Sequence, residues 1–167
     1  IVIFLFTYLN STAATIYVNS SAVGSNNGTS WNNAYTNLQA ALSNAIFGDQ
    51  IWVATGTYKA TTTNDENITF VMKNGVNLYG GFSGVETSIN QRNINSNPTT
   101  LPGDIGALGD NSDNTNTIMR INNITSGLTI DGFRIISGRG TGCAGIALNN
   151  NTGIININNC FFFDNFG

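Results

Sequence analysis

Apolar and polar residues alternate with the same pattern in two segments near the end of the chain, "GLTIDGFRIISG" from Gly127 and "GIININNCFFFDN" from Gly153. When one segment is laid over the other, they match at a constant offset of 27 positions. The matched pairs are Leu128 and Ile155, Ile130 and Ile157, Phe133 and Cys160, Ile135 and Phe162, and Gly138 and Asn165. Alternation predicts strands with one buried face, and its repetition at a fixed spacing favours a solenoid of stacked coils over a β-sandwich.

The alternation also divides the side chains between an interior and an outer face. We expect the matched apolar residues to point inwards. The positions between them, predicted to point outwards, are Thr129, Asp131, Arg134 and Ile136, beside Asn156, Asn158, Phe161 and Phe163.

Two aromatic rings on this outer face stand beside amide and charged groups, an arrangement suited to stacking on sugar rings and to hydrogen bonds with their hydroxyls. We therefore predict a ligand-binding site here. The predicted residues, called the outer strip below, are Asp131, Arg134, Asn156, Asn158, Phe161 and Phe163. The alternative is that a loop packs over both rings.

One segment has the periodicity of a helix. From Trp31 to Ala45, apolar residues recur at three- and four-residue spacing and form one apolar face. Ser30 or Thr29 is the expected N-cap, and Gly48 the expected end. A helix of about 16 residues is not stable alone in water, so it must lie on an apolar surface.

Most of the remaining chain reads as short strands separated by Gly or Asn. The predicted strands lie in "DQIWVATGTYKA", in "ITFVMKNGVNLYGGF", where Asn74-Gly75 divides two strands, in "TIMRI" and in "GIALNNN". Residues 83–116 have no usable period and are predicted to be a long loop, either functional or an insertion. The Asn runs at Asn149 and Asn158 are interpreted as scaffold, because Asn tolerates left-handed turns and its side chains can bond along a solenoid.

Composition excludes several classes of function. Only 9 % of the 167 residues are charged, and there is no histidine. Ser-His-Asp and Cys-His catalysis and His-ligated metal sites are therefore excluded within this segment. The six basic residues are scattered singly, so we expect no nucleic-acid partner.

The beginning of the chain resembles the end of a secretory signal peptide. The apolar run Ile1–Leu9 is too short to span a membrane, and the small residues Ser11–Ala14 follow it, with cleavage expected after Ala14. The alternative is a first β-strand. The export interpretation predicts an extracellular or outer-cell-surface protein, with residues 1–14 as the remnant of the signal peptide.

The two cysteines, Cys143 and Cys160, allow a disulfide in an oxidising compartment. Cys160, however, occupies the repeat position of Phe133. We therefore favour its interpretation as a small buried apolar residue.

The order of these segments resembles a known architecture. "TSWNNAYTNLQAAL", "GDQIWVATGTYKA", "NLYGGFSGVETSINQRN", "NPTTLPGDI" and "DGFRIISG" resemble the start of secreted right-handed parallel β-helix proteins, pectin-lyase-like in fold, of the Bacteroidetes type. "AGI" at Ala144 and "FFDN" at Phe162 are also similar to repeats of chlamydial polymorphic outer-membrane proteins. The resemblance implies an all-β fold: a right-handed parallel β-helix whose N-terminal α-helix covers the open end.

The resemblance also implies an enzymatic alternative. Pectate-lyase-like β-helices place calcium-binding carboxylates and a basic residue on an outer sheet face, and Asp131 and Arg134 are the only such pair here. One Asp is too few for calcium, so a solvent-exposed ion pair is the simpler interpretation. No second carboxylate is placed for a glycosidase pair.

A second candidate site lies in the loop "PGDIGALGDNSDNTN". Asp104, Asp110 and Asp113, with Asn111 and Asn114, offer side-chain and backbone oxygens to calcium, the only cofactor considered for this chain. The alternative is that Asp and Asn before Gly form ordinary turns.

These observations lead to one hypothesis and two alternatives. We expect residues 15–167 to form the capped N-terminal part of a β-helix domain that continues beyond the chain. Its expected function is a surface or secreted scaffold, adhesin-like or binding a polysaccharide or cell-surface glycan, without catalysis and without a membrane span in this segment. The alternatives are a polysaccharide lyase or glycoside hydrolase with its active coils downstream, and a purely structural stalk.

Overall fold

Short parallel strands dominate the computed structural model, which describes residues 12–167 and contains twelve strands and one α-helix in that range. The first sheet contains, in spatial order, β1 (Thr15–Val18), β2 (Gln50–Ala54), β5 (Asn77–Phe82), β8 (Leu128–Asp131) and β11 (Ile155–Asn158). The second sheet contains β3 (Gly56–Thr57), β6 (Thr99–Pro102), β9 (Phe133–Ile136) and β12 (Phe161–Phe163). The third sheet contains β4 (Phe70–Val71), β7 (Met119–Asn122) and β10 (Ile146–Asn149).

All pairs of neighbouring strands in the three sheets are parallel. From β2 onwards, each strand pairs with the strand three places later in the chain, so consecutive strands always belong to different sheets. A parallel pair cannot be closed by a tight hairpin and needs a long connection, which here contains two other strands. The chain therefore has an all-β parallel fold.

The register confirms the strand pairing that the sequence repeat predicts. Ile130 of β8 lies opposite Ile157 of β11, and Ile135 of β9 lies opposite Phe162 of β12. The same offset of 27 also relates β7 to β10 and the first part of β2 to β5, which the repeat in the sequence did not reveal. Between β5 and β8 the offset is larger, since Leu78 pairs with Ile130.

The core lies between the three sheets and is formed by the inward residues of each strand. Leu128, Ile130, Phe133 and Ile135 are fully buried, as predicted. Their partners in β11 and the following turn, among them Ile155 and Cys160, are partly buried and pack against this core. Phe162, predicted to point inwards, is about half exposed and lies against Gly145.

The helix is shorter than its periodicity predicts. α1 spans Leu38–Asn44, and Asn37, not Ser30 or Thr29, is the N-cap, its side chain accepting the N–H of Gln39. Its end is at Asn44, and Gly48 lies in the following turn with φ 94°. α1 buries Leu38, Ala41 and Leu42 and packs against β1, β2 and β4.

The region predicted as one long loop contains a strand and two 3₁₀ helices, Ile89–Gln91 and Asn111–Asp113. β6 escaped the sequence pattern because only four residues form it, and one of them is proline. Thr99 and Leu101 of this strand are nevertheless fully buried. Two loops remain, residues 83–98 before β6 and residues 103–118 after it.

Asn side chains connect successive strands and turns. Asn151 donates to Ile121 O over 2.8 Å and accepts the N–H of Ile124 over 2.8 Å. Asn149 donates to Asn122 across the third sheet over 3.1 Å. Asn150 and Asn159 have left-handed backbones, with φ 53° and 48°. The scaffold role predicted for the Asn runs is confirmed at these positions.

The predicted signal peptide falls almost entirely on residues 1–11, which lie outside the described residues. Ala14, the residue before the expected cleavage, donates its N–H to Asp49 and accepts the N–H of Gln50. Within residues 12–167, no helix has the length and apolarity needed to cross a membrane.

Candidate functional site

The outer strip predicted from the sequence is divided between two sheets. Asp131, Asn156 and Asn158 belong to β8 and β11 of the first sheet, whereas Arg134, Phe161 and Phe163 belong to β9 and β12 of the second sheet. Gly132 turns the chain from β8 to β9 with φ 86°, a conformation that favours glycine. The two halves of the strip therefore meet at a corner.

Asp131 is not an exposed partner of Arg134, as the sequence interpretation had it. It is only 8 % exposed, and its carboxylate forms an ion pair with Arg92, with 3.0 Å between Arg92 Nη2 and Asp131 Oδ2. The Asn159 side chain donates to the other carboxylate oxygen over 3.0 Å. The prediction failed because Arg92 comes from loop 83–98, which folds over β8 and has no pattern that reveals its position.

Arg92 makes further contacts that fix this loop on the first sheet. Its guanidinium donates to Gly80 O over 3.2 Å and lies 5.4 Å from the centre of the Tyr79 ring. With Asp131, these contacts satisfy the cation on several sides. Arg92 was not predicted from the sequence. The only feature of the sequence that could have drawn attention to it is the small number of basic residues in this chain.

Glu86 anchors the start of the same loop. Its carboxylate accepts the N–H groups of Ser83, Gly84 and Val85 over 2.7 to 3.0 Å. Burial raises the pKa of the Glu86 carboxyl, but the hydrogen bonds from Ser83 and neighbouring N–H groups outweigh burial and hold the pKa below its usual value. Trp31 Nε1 donates to Glu86 O over 2.8 Å, which ties the loop to residues before α1.

Trp31 belongs to an aromatic cluster and not to the helix. Its ring centre lies 4.8 Å from that of Tyr17 and 5.5 Å from that of Phe82, and Trp52 stacks on Phe82 at 4.7 Å. The cluster covers the outer side of β1 and β2, so Trp52 is buried although it points away from the core. This part of the outer face is therefore closed to a ligand by the protein itself.

The other half of the strip is open. Phe161 and Phe163, called the aromatic pair below, are 56 % and 62 % exposed, and their rings lie 6.1 Å apart at an angle of 18°. No loop within residues 12–167 covers them, contrary to the alternative considered for the sequence. The pair forms an exposed apolar surface beside the exposed Arg134, which is the register partner of Phe161.

A cleft of about 350 Å³ lies at the corner next to the aromatic pair. It is lined on one side by Ile94, Asn95, Pro98 and Thr99 and on the other by Gly132, Phe133, Arg134, Asn159 and Phe161. This corner cleft combines an aromatic face, amide groups and a cation. Its size is at the lower end of the range of small-ligand pockets.

The six basic side chains differ in their partners within residues 12–167. Arg92 pairs with Asp131, Lys59 lies 4.0 Å from Asp104, and Lys73 donates to the carbonyl oxygens at the end of α1. Arg139 lies 5.5 Å from the centre of the Phe166 ring. Arg120 and Arg134 have no acidic partner in this part of the chain, and each lines a cleft.

The loop predicted to bind calcium uses its carboxylates for its own backbone. Asp104 accepts the N–H of Gly109, Asp113 accepts that of Ala107, and Asp110 accepts that of Ser112. Asp110 also accepts the Ser112 hydroxyl, and these hydrogen bonds lower the pKa of the Asp110 carboxyl. In residues 12–167, no group of three or more Asp, Glu, Cys or His side chains is arranged to hold a metal ion.

A thermal melt tests the calcium hypothesis for Asp104, Asp110 and Asp113. Because no group of three or more acidic side chains in residues 12–167 is arranged to hold a metal ion, we expect the same Tm in millimolar calcium and in chelator. A ligand that binds only the folded state at 100 times its Kd would stabilise it by about 2.7 kcal/mol. A Tm that rises with calcium and is insensitive to magnesium would contradict this expectation and support the site.

The two cysteines are not joined. Cys143 is exposed, while Cys160 is half-buried beneath the β8–β9 corner. Burial raises the pKa of the Cys160 thiol, so this residue behaves as the small apolar side chain that the repeat suggested.

Most of the chain matches a known protein family. The family model described as a protein of unknown function, DUF1565, matches residues 21–166. The chain belongs to the DUF1565 family. This family is associated with parallel β-helix proteins, which agrees with the parallel sheets. Comparisons with curated proteins and with solved structures gave no match.

The family match covers both loops and the corner cleft, so they are part of the DUF1565 region of this chain. The family description assigns no activity.

Proposed function

We propose that this DUF1565 chain is an exported scaffold that binds a polysaccharide or cell-surface glycan without catalysing a reaction in this segment. The exposed aromatic pair carries the proposal. Two exposed, nearly parallel rings offer an aromatic surface on which pyranose rings can stack, and an exposed aromatic patch on a protein surface usually marks an interaction site.

We also propose that the fold is a right-handed parallel β-helix with an N-terminal cap. Consecutive strands that pass from one sheet to the next and pair with every third strand fit three faces of a parallel β-helix. Right-handed winding follows from the strong preference for right-handed crossovers between parallel strands. We assign α1 the role of the N-terminal cap, since it packs on β1 and on the first strands of the helix.

Polar groups around the aromatic pair supply hydrogen bonds for sugar hydroxyls. Asn156 and Asn158 are exposed on β11, and Asn159 and Arg134 line the corner cleft. An extended glycan would cross the corner, with one ring on the aromatic pair and the next above the cleft. Asp131 belongs to this site only through Asn159, because its own carboxylate is engaged by Arg92.

The residues of the proposed site belong to stacked parallel strands, which supports a rigid binding surface. Residues on β-strands hold a binding site more precisely than residues on loops do. Such a surface suits an adhesin or a carbohydrate-binding scaffold. We propose that the protein lies outside the cell or on its outer surface.

Replacing both rings, Phe161→Ala with Phe163→Ala, should lower glycan affinity at least about tenfold, because a stacked ring contributes on the order of 1 kcal/mol or more. The measurement is a glycan array with the intact chain, followed by titration of the glycan that binds best. The matched control is Phe47→Ala, which removes another exposed phenylalanine on the turn after α1 and should leave binding unchanged.

Unchanged affinity of the double variant would refute the site. If the chain binds no glycan on the array, the stalk interpretation gains support. Release of new sugar ends from a polysaccharide during the same assay would favour a lyase or hydrolase.

A further inference from the structure

A second cleft lies on the outer side of the third sheet and shares no residue with the outer strip. Its volume is about 340 Å³, and polar side chains line most of it. The lining includes Asn67, Asn116, Thr117, Arg120, Thr141 and Cys143. No acidic side chain is among the residues that line it.

Arg120, a residue of β7, lines this cleft. Its neighbours in the strand, Met119 and Ile121, are fully buried in the core, so alternation directs Arg120 outwards. Its Nε is buried and, within residues 12–167, has no hydrogen-bond partner. A buried donor without a partner costs free energy, which a bound acceptor would recover.

The wall opposite Arg120 is held in place by the backbone. Arg139 donates its N–H to Thr115 O over 2.9 Å, and a Cβ on Gly140 would lie 2.0 Å from Asn116 O. Only glycine therefore allows this close approach. Asn116 donates to Asn67 over 3.3 Å, which orients both amides at the rim.

We propose that the Arg120 cleft binds an oxyanion that offers two adjacent oxygens to the guanidinium, a carboxylate or a sulfate group. Once the guanidinium turns so that Nε faces the cleft, Arg120 receives it side-on through Nε and one terminal nitrogen, the bidentate geometry that suits guanidinium. The Thr117 and Thr141 hydroxyls and the Asn116 amide are the further donors along the cleft. The remaining volume accommodates the small molecule or chain end that carries the anionic group.

The Arg120 guanidinium differs from that of Arg134 in its environment. Arg134 lies on an exposed strand beside Phe161, so water satisfies its nitrogens. Arg120 has a buried donor, Nε, that no protein group within residues 12–167 satisfies. Anion binding therefore relieves a cost at Arg120 that does not exist at Arg134.

Titration of the intact chain with sodium acetate and, separately, with sodium sulfate tests the proposal. Chloride keeps the ionic strength constant. In ¹H–¹⁵N spectra, we expect saturable shifts of the Arg120 Nε–H signal and of the backbone amides of residues 139–143. The acetate and sulfate arms decide which of the two groups the cleft prefers.

Arg120→Gln should lower the affinity for the anion at least about tenfold, since a hydrogen bond to a charged group contributes about 1.5–3 kcal/mol. Because residue 120 points away from the core, this variant should fold, and its spectrum outside the cleft checks that. Lys59→Gln is the control with the same change in net charge and should retain the affinity. Equal affinity in Arg120→Gln overturns the proposal, as does a loss of the shifts in Arg134→Gln instead.

Cys143 provides a second readout inside the same cleft. Iodoacetate and iodoacetamide both alkylate a thiolate at carbon with loss of iodide, but only iodoacetate carries a carboxylate. In the native chain, Arg120 should favour iodoacetate, so Arg120→Gln should lower the iodoacetate-to-iodoacetamide rate ratio at Cys143 several-fold. Millimolar acetate should also lower this rate ratio in the native chain, because acetate competes with iodoacetate for Arg120. A ratio that is the same in both proteins contradicts anion binding beside Cys143.

Discussion

Ile130→Ala should destabilise the protein by about 3 kcal/mol, because it removes a fully buried aliphatic side chain from the core. Ile130 is 0 % exposed and is the β8 residue paired with both Leu78 and Ile157. Deleting it removes apolar contacts to the strands on both sides and leaves a cavity that rigid parallel strands cannot close. The measurement is equilibrium unfolding in urea, with the m value checked for a two-state transition.

The same substitution at two other isoleucines provides matched controls. Ile157→Ala removes the half-buried register partner and should cost about 1 kcal/mol, in proportion to the apolar area that it buries. Ile154→Ala removes a side chain that is 73 % exposed and should change stability by less than about 0.5 kcal/mol. If Ile130→Ala cost no more than Ile154→Ala, Ile130 would not lie in a packed core.

The strands near the end of the chain were predictable because their repeat is intact. Between Ile130 and Ile157 the chain contains only β9, β10 and short connections, so the alternation returns at the same spacing. Between Leu78 and Ile130 the two loops of residues 83–98 and 103–118 intervene, and the repeat length changes to 52. Nothing in the local sequence signals how much loop has been inserted, so this pairing could not be read from one sequence.

Two other features could not be predicted from the sequence, the start of the helix and the burial of Asp131. Trp31 and Tyr35 have helical spacing to Leu38, yet Trp31 packs on Tyr17 and Phe82, partners that are remote in sequence. A better signal was Asn37, a favoured N-cap residue immediately before the true helix. The aromatic pair was predictable from alternation alone. The burial of Asp131 was not, because it depends on a side chain from a loop without periodicity.

The ion pair between Arg92 and Asp131 should account for the second large effect. Both side chains are mostly buried, at 15 % and 11 % exposure. Arg92→Ala leaves the Asp131 carboxylate without its cation, and we expect a loss of about 3 kcal/mol in stability. Arg134→Ala removes an exposed arginine from the next strand and, as the control, should cost less than about 0.5 kcal/mol.

A double-mutant cycle separates the pair from the packing of the loop. Asp131→Ala removes the stranded charge, so adding it to Arg92→Ala should recover part of the loss and give a coupling of about 1–3 kcal/mol. Arg92→Lys keeps the charge but not the fork that reaches both Asp131 and Gly80 O, and should be intermediate. Additive single effects would mean that Arg92 stabilises the loop through Tyr79 and Gly80 alone. In that case loop 83–98 would remain folded over β8 without the ion pair, and Asp131 would be free to serve the corner cleft directly.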